Sequence, residues 1–266
     1  EMCDSDWSSD VCSSDLSFLV SKRMTETGLK QVTLALQGGG SHGAFTWGVL
    51  EALLEDGRLQ IEGISGTSAG AMNAAVMAHG LEKDGPEGAK SALKNFWSCI
   101  SSYGSFSPYH SGPFNPWGAD WTPTALWFDY IAQIYSPYQL NPFNFNPLRT
   151  VLEDSIDFDF LRCCRRVKLY ISATNVRNNH LHIFTNKDMC VDVLLASACL
   201  PTMHQAVQVG EDYYWDGGFM GNPVLEPLVR QCHTPDTLIV QINPTHRDKV
   251  PVTAQAIADR VNEITF

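Results

Sequence analysis

Three short stretches of this chain hold residue types that can do covalent chemistry. The first is Gly66-Thr67-Ser68-Ala69-Gly70, which falls between a short strand at Ile61–Ser65 and a small-residue helix at Ala71–His79, capped by Gly80. A serine that attacks a carbonyl must project from a sharp turn so that its hydroxyl is bare. Flanking glycines, here Gly66 and Gly70, let such a turn close, because a Cβ there would meet the neighbouring strand or helix. The N-terminus of the following helix also aims N–H groups, starting at Ala69, toward the same spot. The bland alternative is a plain tight turn of small residues. The strand before it and the helix after it are what raise Ser68 to a candidate nucleophile.

The second stretch is Gly38-Gly39-Gly40-Ser41-His42-Gly43. Backbone N–H groups free of side chains can approach an oxygen closely, which is what stabilising an oxyanion requires. Losing one such donor typically costs about 10²–10³ in rate. The same glycines at 38, 40 and 43 also match a dinucleotide-binding turn. The third stretch is Asp216-Gly217-Gly218, a carboxylate on a loop that can approach another turn closely. A nucleophile needs a base. A carboxylate serves if burial raises its affinity for protons. Taken alone, Asp216 reads rather as an ordinary turn residue, and the other motifs are what single it out.

These stretches must be held by a regular frame. Val32–Leu36 reads as a strand, followed by a helix over Ala44–Leu54 with Trp47, Leu50, Leu53 and Leu54 on one face and Gly57 just past its end. Strand, turn and helix repeated twice predict parallel pairing with crossover helices. Asn146-Pro147 opens a helix with a cap residue and Pro in the first turn. Val167–Ala173 and His180–Phe184 read as strands, Asp192–Ala198 as a short helix before Pro201, and Tyr213–Trp215 as a strand into Asp216. Thr237–Ile242 has the unbroken apolar run of a buried parallel strand. Between residues 100 and 145 the composition turns rich in aromatics, Pro, Ser and Asn. That segment reads either as a lid or acyl-binding cap, with Trp117, Trp121, Trp127 and Phe128 as walls, or as a packed excursion that steadies the core.

Composition narrows the function. With 266 residues, 44% of them hydrophobic, the chain can bury one sizeable core, and its net charge of −11 argues against nucleic acid as a partner. The eight Cys include no C-x-x-C pair and read as reduced thiols in a cytoplasmic setting. No metal site or organic cofactor is expected. Residues 1–30 are expected to be a non-native or disordered segment. Asp10-Val11-Cys12-Ser13-Ser14-Asp15-Leu16 within it has the look of translated adapter oligonucleotide. The domain is expected over 31–266, with a truncated C-terminus because Ala254, Ile257, Ala258 and Val261 mark a helix that reaches Phe266 uncapped.

A histidine base would have to be His233 or His246, in the chain order Ser, Asp, His of the α/β-hydrolases. Only 28 residues separate Gly40 from Ser68, room for one helix and one strand, whereas that fold puts its serine much later. Both histidines therefore read as surface residues.

The glycine-rich turn, the early G-x-S-x-G and the late D-G-G, in that order, resemble the patatin-like phospholipases. The resemblance runs from about Val32 to Phe266, and Ser197-Ala198-Cys199-Leu200-Pro201 and Asn222-Pro223 look like family segments too. It implies an α/β fold, a three-layer α/β/α sandwich with a mostly parallel central sheet. It also implies a Ser–Asp dyad, Ser68 with Asp216, cleaving acyl esters of phospholipids or lysophospholipids through an acyl-enzyme. Gly38, Gly39, Gly40 and Gly43, with Ala69, would form the oxyanion loop. The family often carries Arg or Lys where His42 stands, which separates this chain from a charge-based role there; His42 reads as a substrate contact or, equally, as a helix-packing residue. The expected partners are a lipid or ester substrate and, transiently, a membrane surface. Other readings are a general carboxylesterase or polyester hydrolase, a non-catalytic lipid-binding or storage protein, and a dinucleotide-binding oxidoreductase. The last wants an acidic residue ending the second strand, where Gly66-Thr67-Ser68 stands instead.

Overall fold

The computed structural model describes residues 28–104 and 134–265. Its centre is a seven-stranded sheet. β1 (Lys30–Leu36) alternates its side chains: Val32, Leu34 and Leu36 enter the main core, while Ala35 faces the other way. α1 (Gly43–Asp56) ends at Gly57, whose φ of 66° is the left-handed cap that glycine adopts without strain. β2 (Leu59–Gly66) returns parallel to β1, pairing Leu36 with Gly66.

α2 (Ala69–Gly104) corrects the expected stop at Gly80. The helix runs straight through that residue and breaks instead at Asp84-Gly85, where Gly85 has φ 66° and Pro86 restarts the helix. Gly80 is needed for closeness. A Cβ there would lie 2.6 Å from Ala89 Cα, so the two halves of α2 cross backbone against backbone.

After α3 (Pro137–Leu140), α4 (Pro147–Ser155) starts as expected, with Asn146 accepting from the Leu148 N–H at 3.1 Å. α5 (Phe158–Cys163) leads to β3 (Lys168–Asn175), β4 (Leu181–Thr185) and α6 (Val191–Ser197). The hairpin β5 (Val207–Val209) and β6 (Asp212–Asp216) follows, then α7 (Glu226–Gln231), β7 (Thr237–Val240) and α8 (Ala254–Thr265). The strand order is β5-β6-β3-β2-β1-β7, with β4 also on β3. The centre β3-β2-β1-β7 is parallel, and β4, β5 and β6 pair antiparallel. The main core packs α2, α4 and α6 on one face. On the other, Leu228 of α7 meets Ala35 and Tyr170, so helices cover both faces.

β7 departs from the expected buried strand. Among the described residues it pairs only with β1, at the sheet edge, and Ile239 is 53% exposed. An apolar run reports that a strand suits burial; position in the sheet decides whether it is buried. Among the described residues no helix is long and apolar enough to cross a membrane.

Candidate active site

The strand registers bring two distant loops together. β2 pairs with β3 as far as Ile171, where it meets Gly66. β6 runs the opposite way and ends with Asp216 opposite Ala173. β4 occupies the other edge of β3 over Tyr170–Thr174, so β2 and β6 share one edge and meet end to end. The turn after β2 and the loop after β6 therefore converge.

At the first loop, Ser68 has φ 53°, a left-handed conformation uncommon for a residue with a side chain. The neighbours leave it little choice. A Cβ on Gly66 would sit 2.6 Å from the Gly70 carbonyl oxygen, and one on Gly70 would run into the Leu36 carbonyl. The Thr67 hydroxyl meets Ser172 Oγ at 2.7 Å and donates to the Gly221 carbonyl at 3.0 Å. The Ser68 N–H donates to Ser197 Oγ at 3.0 Å.

At the second loop, Asp216 is 1% exposed and caps the 3-10 turn Gly217–Phe219, accepting the Gly218 N–H at 2.8 Å. A Cβ on Gly217 would strike Ser172, so the loop can lie this close only with glycine there. Burial pushes the Asp216 carboxyl from the ordinary 3.8 up to about 6, against hydrogen bonds from the Gly218 N–H and the Ser68 hydroxyl that pull it down. A carboxyl so placed is ionised at neutral pH yet basic enough to take a proton.

The glycine loop after β1 completes the site. Ser68, Asp216 and Gly38–His42 all line one cavity of about 770 Å³. Much of its lining is apolar, with Met72, Phe96, Trp97, Ile100, Leu148 and Leu200. The Trp97 indole is fixed by Asn73, which in turn donates to the Gly43 carbonyl at 3.0 Å. An apolar lining of this kind suits an alkyl chain.

Residues 34–229 match the family model of the patatin-like phospholipases. The chain belongs to the patatin-like phospholipase family. Among solved structures, VipD from Legionella pneumophila is similar at a TM-score of 0.45 and 20% identity, over 82% of this chain and 51% of that one. ExoU in its complex with SpcU from Pseudomonas aeruginosa is similar at 0.37 and 22%, over 90% of this chain and 50% of that one. The chain spans about half the length of these two structures. No curated protein matches it.

Within this patatin-like site the glycines divide into two groups. The Gly38 N–H is engaged by Asn222 Oδ1 at 2.6 Å, and the Gly43 N–H turns to the Gly40 and Ser41 carbonyls. Each of these two N–H groups already has a partner. Both act by being small: a Cβ on Gly38 would lie 2.7 Å from Ser68 Cβ, and one on Gly43 2.7 Å from Ala69 Cβ. Among the described residues no partner meets the N–H of Gly39, Gly40 or Ala69. His42 lines the cavity mouth, its Nδ1 3.2 Å from the Gly39 carbonyl.

His233 and His246 do not line the cavity. His233 Nδ1 lies 2.8 Å from Glu62 with its side chain 88% exposed, and His246 neighbours Asp248. Trp117, Trp121, Trp127 and Phe128 lie outside the described residues. Two residues of the site had no role in the sequence reading, Ser197 and Asn222. Asn222 grips Gly38 twice, accepting its N–H and donating Nδ2 to its carbonyl at 3.3 Å. Both lie in segments that resemble the family, but nothing local in Ser197 or Asn222 tells that its partner is a backbone group far away in the chain.

Proposed function

We propose that this protein hydrolyses carboxylic esters of lipids, with Ser68 as nucleophile and Asp216 as base. The observation that carries the reading is a buried carboxyl beside a serine hydroxyl in a cavity with much apolar lining. Asp216 takes the Ser68 proton as Oγ attacks the ester carbonyl. The N–H groups of Gly39, Gly40 and Ala69 receive the oxyanion, aided by the start of α2. Collapse expels the alcohol, which takes the proton from Asp216, and the acyl chain stays on Ser68 along the apolar walls. Asp216 then draws a proton from water, the resulting nucleophile attacks the acyl-enzyme, and the fatty acid leaves with Ser68 restored. The only charge that must be created in the dry part of the site is the one the amides face.

The reading is tested with p-nitrophenyl esters of graded chain length. Ser68→Ala and Asp216→Asn should each lose at least about 10³-fold in kcat while keeping the parent's circular dichroism. An Asp216→Asn variant that keeps most of its turnover removes Asp216 as the base, and a His233→Ala or His246→Ala variant as inactive as Ser68→Ala brings back a histidine mechanism.

A further inference from the structure

Asn73 stands in the first turns of α2, fully buried, and both polar ends of its side chain are engaged. Its Oδ1 accepts the Trp97 indole N–H at 2.9 Å, and its Nδ2 donates to the Gly43 carbonyl at 3.0 Å. An indole N–H can only donate and a carbonyl can only accept, so the group between them must offer one acceptor and one donor, as a carboxamide does. Asn73 itself does not line the cavity.

Both of its partners matter to the site. Trp97 is one wall of the cavity, and its ring also lies against Gly43, where a Cβ would come within 2.9 Å of Cζ2 and Cη2. Gly43 closes the 3-10 turn Gly40–His42 through its N–H, and the His42 N–H donates to the Gly39 carbonyl at 3.1 Å. At its other end the same loop is gripped at Gly38 by Asn222. The amides of Gly39 and Gly40 therefore hang between two held ends, and one of those ends is shared with the cavity wall.

We propose that Asn73 is a positioning residue that ties the wall receiving the acyl chain to the glycine loop receiving the oxyanion, so that a longer acyl chain raises kcat and does not only lower KM. The inference rests on the ester-hydrolase reading above. An acyl chain laid on Trp97 steadies the indole. Through Asn73 and the contact with Gly43, the steadied ring fixes the turn that carries the Gly40 amide. Binding energy from the remote part of the substrate is then realised where charge develops in the transition state.

The test measures kcat and KM for p-nitrophenyl acetate, butyrate and octanoate with the parent, Asn73→Leu and Trp97→Phe, each checked by circular dichroism. In the parent, kcat should rise about tenfold from acetate to octanoate, a small part of what burying the longer chain can supply. Asn73→Leu keeps the size and loses both hydrogen bonds, and it should cut that kcat ratio at least about threefold. A general slackening of the fold lowers kcat on every ester alike and leaves the ratio where it was, so the ratio reports the tie. Trp97→Phe keeps an apolar ring and the Asn73–Gly43 bond while cutting the tie at its other end. It should lower the ratio to a similar extent, and joining the two substitutions should lower it no further. If Asn73→Leu does not fold, Trp97→Phe decides by itself. A folded variant with the parent's ratio, or a parent whose chain-length preference lies wholly in KM, overturns the inference alone. A parent that turns over none of the three esters overturns the hydrolase reading beneath it.

Discussion

Ser197 Oγ accepts the backbone N–H of Ser68 at 3.0 Å across 129 residues of chain. The residue with the left-handed backbone is thus held from outside its own turn. Ser197 ends α6 and is fully buried, so the acceptor has no water to replace it. Ser197→Ala leaves the Ser68 N–H without that partner, a loss of about 1–3 kcal/mol. Ser197 is a positioning residue, so the effect should fall on kcat, by about tenfold, with KM nearly unchanged. Steady-state kinetics on one p-nitrophenyl ester reads the split. Unchanged kcat, or a rise in KM alone, means that the elbow holds itself.

Asp216 gives two opposite pH profiles from one cause. Its folded carboxyl titrates near 6 rather than 3.8 because of burial. The folded state thus binds the proton more tightly than the unfolded chain does. Stability should fall as pH rises from about 4 to about 6 and stay level above, by roughly 3 kcal/mol for this group. Activity should do the reverse, with kcat/KM rising through an apparent pKa near 6. Asp216→Asn keeps an acceptor for Gly218 and removes the charge. Urea denaturation should find it more stable than the parent at pH 8 and level with it near pH 4. A variant less stable at pH 8 speaks against a desolvated carboxylate.

Gly80 fixes the shape of the cavity from a distance. Phe96 and Trp97 wall the cavity from the second half of α2, which crosses the first half at Gly80. Gly80→Ala gains up to about 1 kcal/mol of helix propensity. It also places a methyl 2.6 Å from Ala89 Cα and 2.7 Å from the Gly88 carbonyl oxygen. Those are backbone atoms that cannot rotate away, so overpacking of about 1–3 kcal/mol should win. Thermal denaturation should show a lower Tm, and the optimum ester chain length should shift. A Tm at or above the parent's means that the helices separate freely.

Much of the fold was legible because its signals are local. Val32–Leu36, the cap at Gly57 and the Asn146-Pro147 start each depend on backbone conformation within a few residues. β5 and α7 were not legible. They are only 3 and 6 residues long, too short for a period to stand out, and the contacts that hold them come from elsewhere. Gly80 misled for a related reason: glycine serves both as a cap and as a point of close approach, and only the neighbouring segment tells which.

The sequence alone determined the turn around Ser68, the glycines that let it close, and the presence of a carboxylate before two further glycines. Those are demands of local sterics, written in adjacent residues. Tertiary structure decided which glycine amides stay free, that Ser197 holds the Ser68 turn and Asn222 the glycine loop after β1, and that Asp216 is dry enough to titrate near 6. Each of these depends on what lies across a gap in space. Hydrogen-bond partners and solvent exclusion are set by β2 and β6 meeting along one edge of β3, and no stretch of neighbouring residues encodes that meeting.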